Sequence, residues 1–250
     1  MATAEREKEF YDQYWERVQP YDVTGEIHVP TVSSNFSGKR ALMCSCGSGG
    51  DAVRAAKQGA ETHAFDISET AIRNALSFAE FNGVTVHAKV MDFHNLEYPD
   101  NYFDLIYGTA ILHHIDCSVA GKEIYRVLKP GGVAYFKENS DRNPILRFLR
   151  RMFFGKPGGY QKQKFLFFKR TGTTDEYPLT EEEVSTLRDI FKGNLVLYNE
   201  QFYFFALLNF LVFKSAKLAK FFTGVDNLTV GLFPFLRKYS FTQEVFMKKK

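Results

Sequence analysis

Gly47 and Gly49 follow an apolar run, and Asp66 closes the next one. A turn without side-chain bulk at its glycines lets a ligand lie against the backbone, and the free amides of the following helix receive a carboxylate. A carboxylate at a strand tip accepts two hydrogen bonds from a vicinal diol such as ribose. Further on, Asp92-Phe93 offers an acceptor for an exocyclic amine beside an aromatic face. His113-His114 supplies the side chain that most cheaply acts as a base near neutral pH, with Glu138 a second candidate. The adjacent histidines lack further ligands at suitable spacing, so no metal site is expected.

The elements that must position these groups alternate. Residues 40–46 read as a strand, 47–51 as a turn and 51–58 as a helix, with Asp51 either capping that helix or touching the ligand. Strands are expected at 62–65, 84–90, 103–107 and 133–137, and helices at 69–82, capped by Ser68, and at 119–128, stopped by Lys129-Pro130-Gly131-Gly132. Thr180 and Glu183 form a capping box for a helix reaching 191. Residues 195–204 and 241–248 read as strands six and seven. The fold class is therefore α/β: a doubly wound, mostly parallel, Rossmann-like seven-stranded sheet with ligands at its carboxyl edge and helical insertions near the C-terminus. Aromatic residues Phe10, Tyr11, Tyr14 and Trp15 mark an amphipathic helix over 4–18, outside the sheet; the aromatics dock it on the core, or Tyr11 and Tyr21 serve as lid residues.

The 250 residues, 45% hydrophobic, suit one well-cored domain. Cys44, Cys46 and Cys117 make no disulfide framework; Cys44 and Cys46 are expected on one face of a buried strand, and a reducing, cytoplasmic setting follows. No apolar run precedes the charged N-terminal segment, and the longest, 202–213, is shorter than the ~18 residues that span a bilayer. Charge is uneven: residues 1–141 carry 13 Lys+Arg against 20 Asp+Glu, residues 142–170 nine basic and no acidic residues, and residues 201–250 eight basic and two acidic.

Gly47, Gly49 and Ala52 satisfy G-x-G-x-x-A with Asp66 where an NAD-binding acid belongs, so spacing alone leaves an NAD-dependent oxidoreductase level with a methyltransferase. The joint pattern separates them. CSCGSGGD, AFDIS, VMDF, FDLIYGTAILHHID and VLKPGGVAYF, in that order over residues 36–140, resemble the class I S-adenosylmethionine (SAM)-dependent methyltransferases, in the type-11, ubiquinone/menaquinone C-methyltransferase-like group. The resemblance implies an enzyme that uses SAM and releases S-adenosyl-L-homocysteine. It implies that Gly47 and Gly49 pass the methionine moiety, Asp66 binds the ribose, Ile67 packs on adenine, Asp92 with Phe93 holds the adenine edge, and Thr109 and His114 lie near the sulfonium and acceptor. Family members carry an acid and a first glycine where this chain has Met43 and Ser45, so Asp51 or Tyr11 is expected to serve the methionine end. The domain plan is then a helical cap (1–35), a SAM-binding core (36–140), acceptor-side insertions (141–240) and a last strand (241–250).

The expected acceptor is a hydrophobic or amphiphilic small molecule. The Phe-rich helices 144–154 and 206–222 mix apolar residues with Arg or Lys; they read as a lid, as ordinary core cover or as a peripheral membrane contact. In the first, Arg147, Arg150 and Arg151 share a side, and the interleaved Phe and Leu predict burial. The alternative is binding or methylation of RNA or another polyanion through residues 142–170, a partner that helical spacing of the Phe and Leu disfavours. Tyr160 and Lys164 mimic a dehydrogenase Tyr-x-x-x-Lys pair, but lie far from the strand-five position such chemistry needs.

Overall fold

The computed structural model describes residues 4–156, 159–160, 164–165, 168–169, 177–199 and 202–250. Seven strands form one sheet: β1 (Arg40–Cys44), β2 (Glu61–Asp66), β3 (Val86–Val90), β4 (Phe103–Thr109), β5 (Leu128–Asn139), β6 (Leu195–Tyr198) and β7 (Thr242–Lys248), in spatial order β6-β7-β5-β4-β1-β2-β3. All neighbours run parallel except β7, which is antiparallel to both β5 and β6. Chain order reverses between β1 and β4, which opens the crevice at their carboxyl ends where such sheets take ligands.

Alternation along β1 builds both cores. Leu42 and Cys44 join Phe65, Phe93, Ile106 and Phe136 on one face, while Ala41 and Met43 join Ala64, Leu105, Tyr107 and Tyr135 on the other. Helices α2 (Gly50–Lys57) and α3 (Glu69–Phe81) cover the second face; α4 (Cys117–Val127) and, later in the chain, Glu181–Ile190 cover the first. The N-terminal α1 (Ala4–Trp15) packs on α3. After β5 come α5 (Pro144–Phe154), α6 (Glu181–Ile190), the one-turn α7 (Phe205–Leu208) and α8 (Ala216–Leu232).

Several expectations are corrected. Cys46 does not share a face with Cys44: Ser45 has φ 47, which breaks the alternation, and Cys46 packs against the opposite core. Asp51 does not cap α2, whose N-cap is Gly49 at φ 89; its Oδ1 instead accepts from Arg54 at 2.8 Å. The single helix expected over 206–222 is broken. A π turn at Asn209–Phe213 ends on Lys214 in a left-handed conformation, Ser215 caps anew, and α8 continues ten residues further to Leu232. Arg150 is turned inward, donating to the Ser140 carbonyl at 3.0 Å, so it does not share an outer side with Arg147 and Arg151. No residue of α5 is buried, and Ile145, Phe148 and Met152 are exposed, against the burial their spacing suggests. The side chains of the basic connector, Tyr160 and Lys164 among them, lie outside the described residues, as do residues 170–176. The last lysines include a structural one: Lys249 donates to Asn101 Oδ1 at 2.9 Å and stands over the Tyr125 ring.

Candidate functional site

The turn after β1 is held by Asp66. Its Oδ2 accepts from the Gly47 amide and its Oδ1 from the Ser68 amide, both at 3.0 Å, so the tips of β1 and β2 and the start of α3 are tied through one carboxylate. Burial pushes that carboxyl above the ordinary Asp range, against the opposite pull of the Ser68, Gly47 and Ile67 amides. The two glycines do different jobs. A Cβ on Gly49 would lie 2.5 Å from the Ala75 Cα, so this glycine serves close packing of α3; a Cβ on Gly47 would lie 2.6 Å from Cζ2 of the Trp15 indole. Trp15 is thus the side chain over the turn. Half-buried Ile67 follows Asp66 at the β2 tip.

At the β3 tip Asp92 keeps Oδ1 on His94, through its amide at 2.8 Å and ring Nδ1 at 2.7 Å. Phe93 follows Asp92. It is buried, with its ring 5.1 Å from Phe65 and 6.4 Å from Phe136, because the chain past β3 turns that position into the core. Met43 is likewise core, so no acid occupies the β1 position where the family carries one.

The β4 tip is where titratable groups converge. Thr109 is exposed, and Ala110 follows at φ 54, a left-handed backbone that a non-glycine residue adopts at a cost. Ser45 at the adjacent β1 tip is in the same region, so the strain clusters at the crevice. A 3₁₀ turn, Leu112–His114, then presents both histidines. Fully buried Glu138 at the end of β5 pins it: Oε1 accepts from the Ile111 and Leu112 amides at 2.8 Å each, and Oε2 lies 2.7 Å from His113 Nδ1. His114 reaches the other way. Its Nδ1 is 3.1 Å from Glu7 Oε1 and its Nε2 3.4 Å from the Tyr11 hydroxyl. Tyr107 beneath has its phenol pushed up to about 12, by burial first and the Asp51 charge second.

Both Glu7 and Tyr11 come from α1, one turn apart. On its neighbouring face Asp12 Oδ1 accepts from the Ser68 hydroxyl at 2.6 Å and the Thr70 amide at 3.1 Å, and Asn74 holds the Trp15 carbonyl at 2.8 Å. Tyr21 is exposed, its ring 5.1 Å from Phe78. Sequence reasoning placed Tyr11 here and missed Glu7, Asp12 and Trp15; the i, i+4 spacing of Glu7 with Tyr11 was the available signal. The site therefore gathers Ser45, Gly47, Asp66 and Ile67 at one pair of strand tips, and Thr109, His113, His114 and Glu138 at the other, with α1 across both. Among the described residues no three His, Cys, Asp or Glu side chains are placed to hold a metal ion.

Residues 42–136 match the family model described as a methyltransferase domain. A sterol 24-C-methyltransferase of Aspergillus fumigatus is 36% identical over 100 residues, 38% of this chain and 26% of the relative. A ubiquinone/menaquinone biosynthesis C-methyltransferase of Cupriavidus metallidurans is 34% identical over 101 residues, 38% of this chain and 41% of the relative. Through these residues the chain is similar to class I SAM-dependent methyltransferases of the type-11 group. The matched stretch spans about a quarter of the sterol relative and two-fifths of the quinone one. A solved SAM-dependent methyltransferase of Methanosarcina mazei, 20% identical, superposes with a TM-score of 0.55 over 84% of this chain and 92% of that one, which speaks for the fold.

The residues of the methyltransferase domain fit the family's cofactor. At Gly47 the missing Cβ faces the ring of one side chain, Trp15, and not backbone. Asp66, at the β2 tip, is of the type that holds a ribose diol. Ser45 stands at the β1 tip, and Asp92, with Oδ1 on His94, stands at the β3 tip.

Proposed function

We propose that this chain transfers a methyl group from SAM to a hydrophobic or amphiphilic small-molecule acceptor at the β4 and β5 tips. The observation that carries the reading is the pair of histidines on one 3₁₀ turn, each with a carboxylate partner, beside the glycine turn and Asp66. SAM, when bound, supplies an electrophilic methyl and leaves as the neutral thioether S-adenosylhomocysteine.

The protein's part is alignment and proton removal. Glu138 fixes the turn and orients His113, which makes both positioning residues. His114, which meets Glu7 and Tyr11 of α1, is the base: its Nε2 takes the acceptor's proton as the acceptor's lone pair forms the new bond to carbon and the carbon–sulfur bond breaks, and Glu7 stabilises the imidazolium on the far nitrogen. Tyr11, now on Nε2, yields that position to the acceptor. α1 closes the crevice and excludes water from an in-line displacement. Relatives named for sterols and for ubiquinone/menaquinone biosynthesis favour a greasy acceptor, and such an acceptor places the enzyme at the periphery of a membrane.

The test is incubation of the full chain with methyl-labelled SAM and lysate fractionated into lipid, RNA and small-metabolite pools. Label in the lipid pool is the expected result. Label only in RNA overturns the acceptor class. Calorimetry is expected to give SAM binding that Asp66→Ala weakens by roughly 100-fold, the loss of two charge-assisted hydrogen bonds; no binding by the wild type overturns the reading altogether.

A further inference from the structure

Residues 202–240 hold five Lys+Arg and a single acid, Asp226. That acid is withdrawn from the surface. It is 1% exposed and accepts the amides of Phe204, Phe205 and Ala206 at 3.3, 2.9 and 2.9 Å, capping α7 and fastening it to α8. The outer face of this helical hairpin is left cationic and apolar.

Along α8, Leu218, Phe221, Val225, Leu228 and Leu232 recur at spacings of three and four, a continuous stripe. A helix normally hides such a stripe, yet Leu218, Phe221, Leu228 and Leu232 are 37–64% exposed. The rings of Phe210 and Phe213 before α8, and of Phe233 and Phe235 after it, extend the exposed apolar surface at both ends. Lys214, Lys217 and Lys220 flank its first half and Lys238 its far end, all exposed. An exposed patch of this kind marks an interaction surface.

Charge chooses the occupant. A second copy of the same face would oppose lysine to lysine with no surface acid between them. An anionic lipid surface offers every cation a counter-charge and receives Phe and Leu at the boundary between headgroups and acyl chains. Among the described residues no helix is long and apolar enough to cross a membrane, so the contact lies in the plane of the interface. Topology supplies the orientation. β7 begins opposite the last residue of β5, Thr242 beside Asn139, so the hairpin preceding β7 leaves from the carboxyl edge that also carries Thr109 and His114.

We propose that the α7–α8 hairpin, with the turn that follows it, docks this protein on an anionic lipid surface and so turns the carboxyl edge of the sheet toward the bilayer. The docking rests on the hairpin's own residues; its use, delivery of a lipid-borne acceptor, rests on the reading of the site above.

The experiment is co-sedimentation of the full chain with phosphatidylcholine vesicles, with and without phosphatidylglycerol, in low and high salt. Binding is expected to the anionic vesicles, to weaken with salt, and to be much poorer on the neutral ones. Lys217→Gln with Lys220→Gln should weaken it about 30-fold, at roughly fivefold per cation, and Phe221→Ser with Leu228→Ser should abolish it. All four positions are exposed and outside the cofactor site, so SAM binding by the same variants should match wild type, which separates failure of docking from failure of the methyltransferase reading. Equal binding to both vesicle types, no binding to either, or a wild-type dimer in solution that Phe221→Ser dissolves would each overturn the proposal.

Discussion

The carboxyl edge of the sheet and the hairpin beside it are made of similar residues used in opposite ways. At the strand tips the aromatics are inside and the acids hold backbone amides: Asp66 ties Gly47 to Ser68, and Glu138 ties two amides to His113. In the hairpin and the turn after it Phe210, Phe213, Phe221, Phe233 and Phe235 face water and the one acid is buried. In the first region the acids are already paired with backbone amides, whereas the second leaves apolar side chains exposed. In the proposed function the first prepares geometry for a small molecule, and in the proposed docking the second meets a lipid surface.

This contrast breaks first at Glu138. Its carboxyl is fully buried, so Glu138→Ala removes the group that the Ile111 and Leu112 amides and His113 Nδ1 meet. Denaturant unfolding should register a loss of about 3 kcal/mol. Paired substitutions in the hairpin stripe, such as Phe221→Ser with Leu228→Ser, should stay within about 1 kcal/mol because those side chains are already in water. Comparable losses in both regions would mean that the hairpin is folded core and that the distinction is false.

A smaller effect tests how firmly α1 belongs to the prepared region. Burial acts to raise the Asp12 carboxyl, but hydrogen bonds from Ser68, Lys8 and the Thr70 amide outweigh it and hold the group down to about 2, below the ordinary 3.8. A carboxyl lowered by folding contributes stability above its unfolded value, and that contribution disappears as pH falls through the folded one. Docking of α1 should therefore persist to about pH 4 and fail between there and pH 2. Trp15 is the only tryptophan, so acrylamide quenching of its emission reads the event directly. Asp12→Ala should make the indole accessible already at pH 7, at a cost of about 1–2 kcal/mol. Quenching unchanged in that variant would show that Trp15 is held by packing alone.

How much of this was legible follows from range. The strands, the glycine turn, the Thr180 capping box and the family motifs are local, and periodicity plus turn chemistry reveals them. The α1 contacts are not local: Asp12 meets Ser68 across 56 positions and Glu7 meets His114 across 107, and no spacing rule reaches that far. Phe93 illustrates a second limit. An aromatic after a strand-tip acid suits a stacking face and a core equally, and only the path of the chain past β3 decides for the core. The break at Lys214 is a third: the Asn209 side chain bonds the Ser215 amide and carbonyl across the gap, a local alternative to helix that the Phe- and Leu-rich pattern hides.

The smallest effect concerns strain at the turn itself. Ser45 sits at φ 47, where an L side chain costs about 1 kcal/mol and glycine nothing. Glycine also frees the unfolded chain, which offsets part of the gain. Ser45→Gly should then stabilise the fold by about 0.5 kcal/mol, read as a rise of ~1–2 °C in Tm. The affinity for SAM separates two reasons for a serine there. If the turn presents only its backbone to the methionine end, affinity stays within about twofold of wild type, which is the expected outcome. If the hydroxyl replaces the acid that Met43 does not supply, the variant gains stability and loses affinity together. The strain at Ser45 would then be retained for the ligand, as the exposed stripe of α8 would be for the lipid surface proposed above.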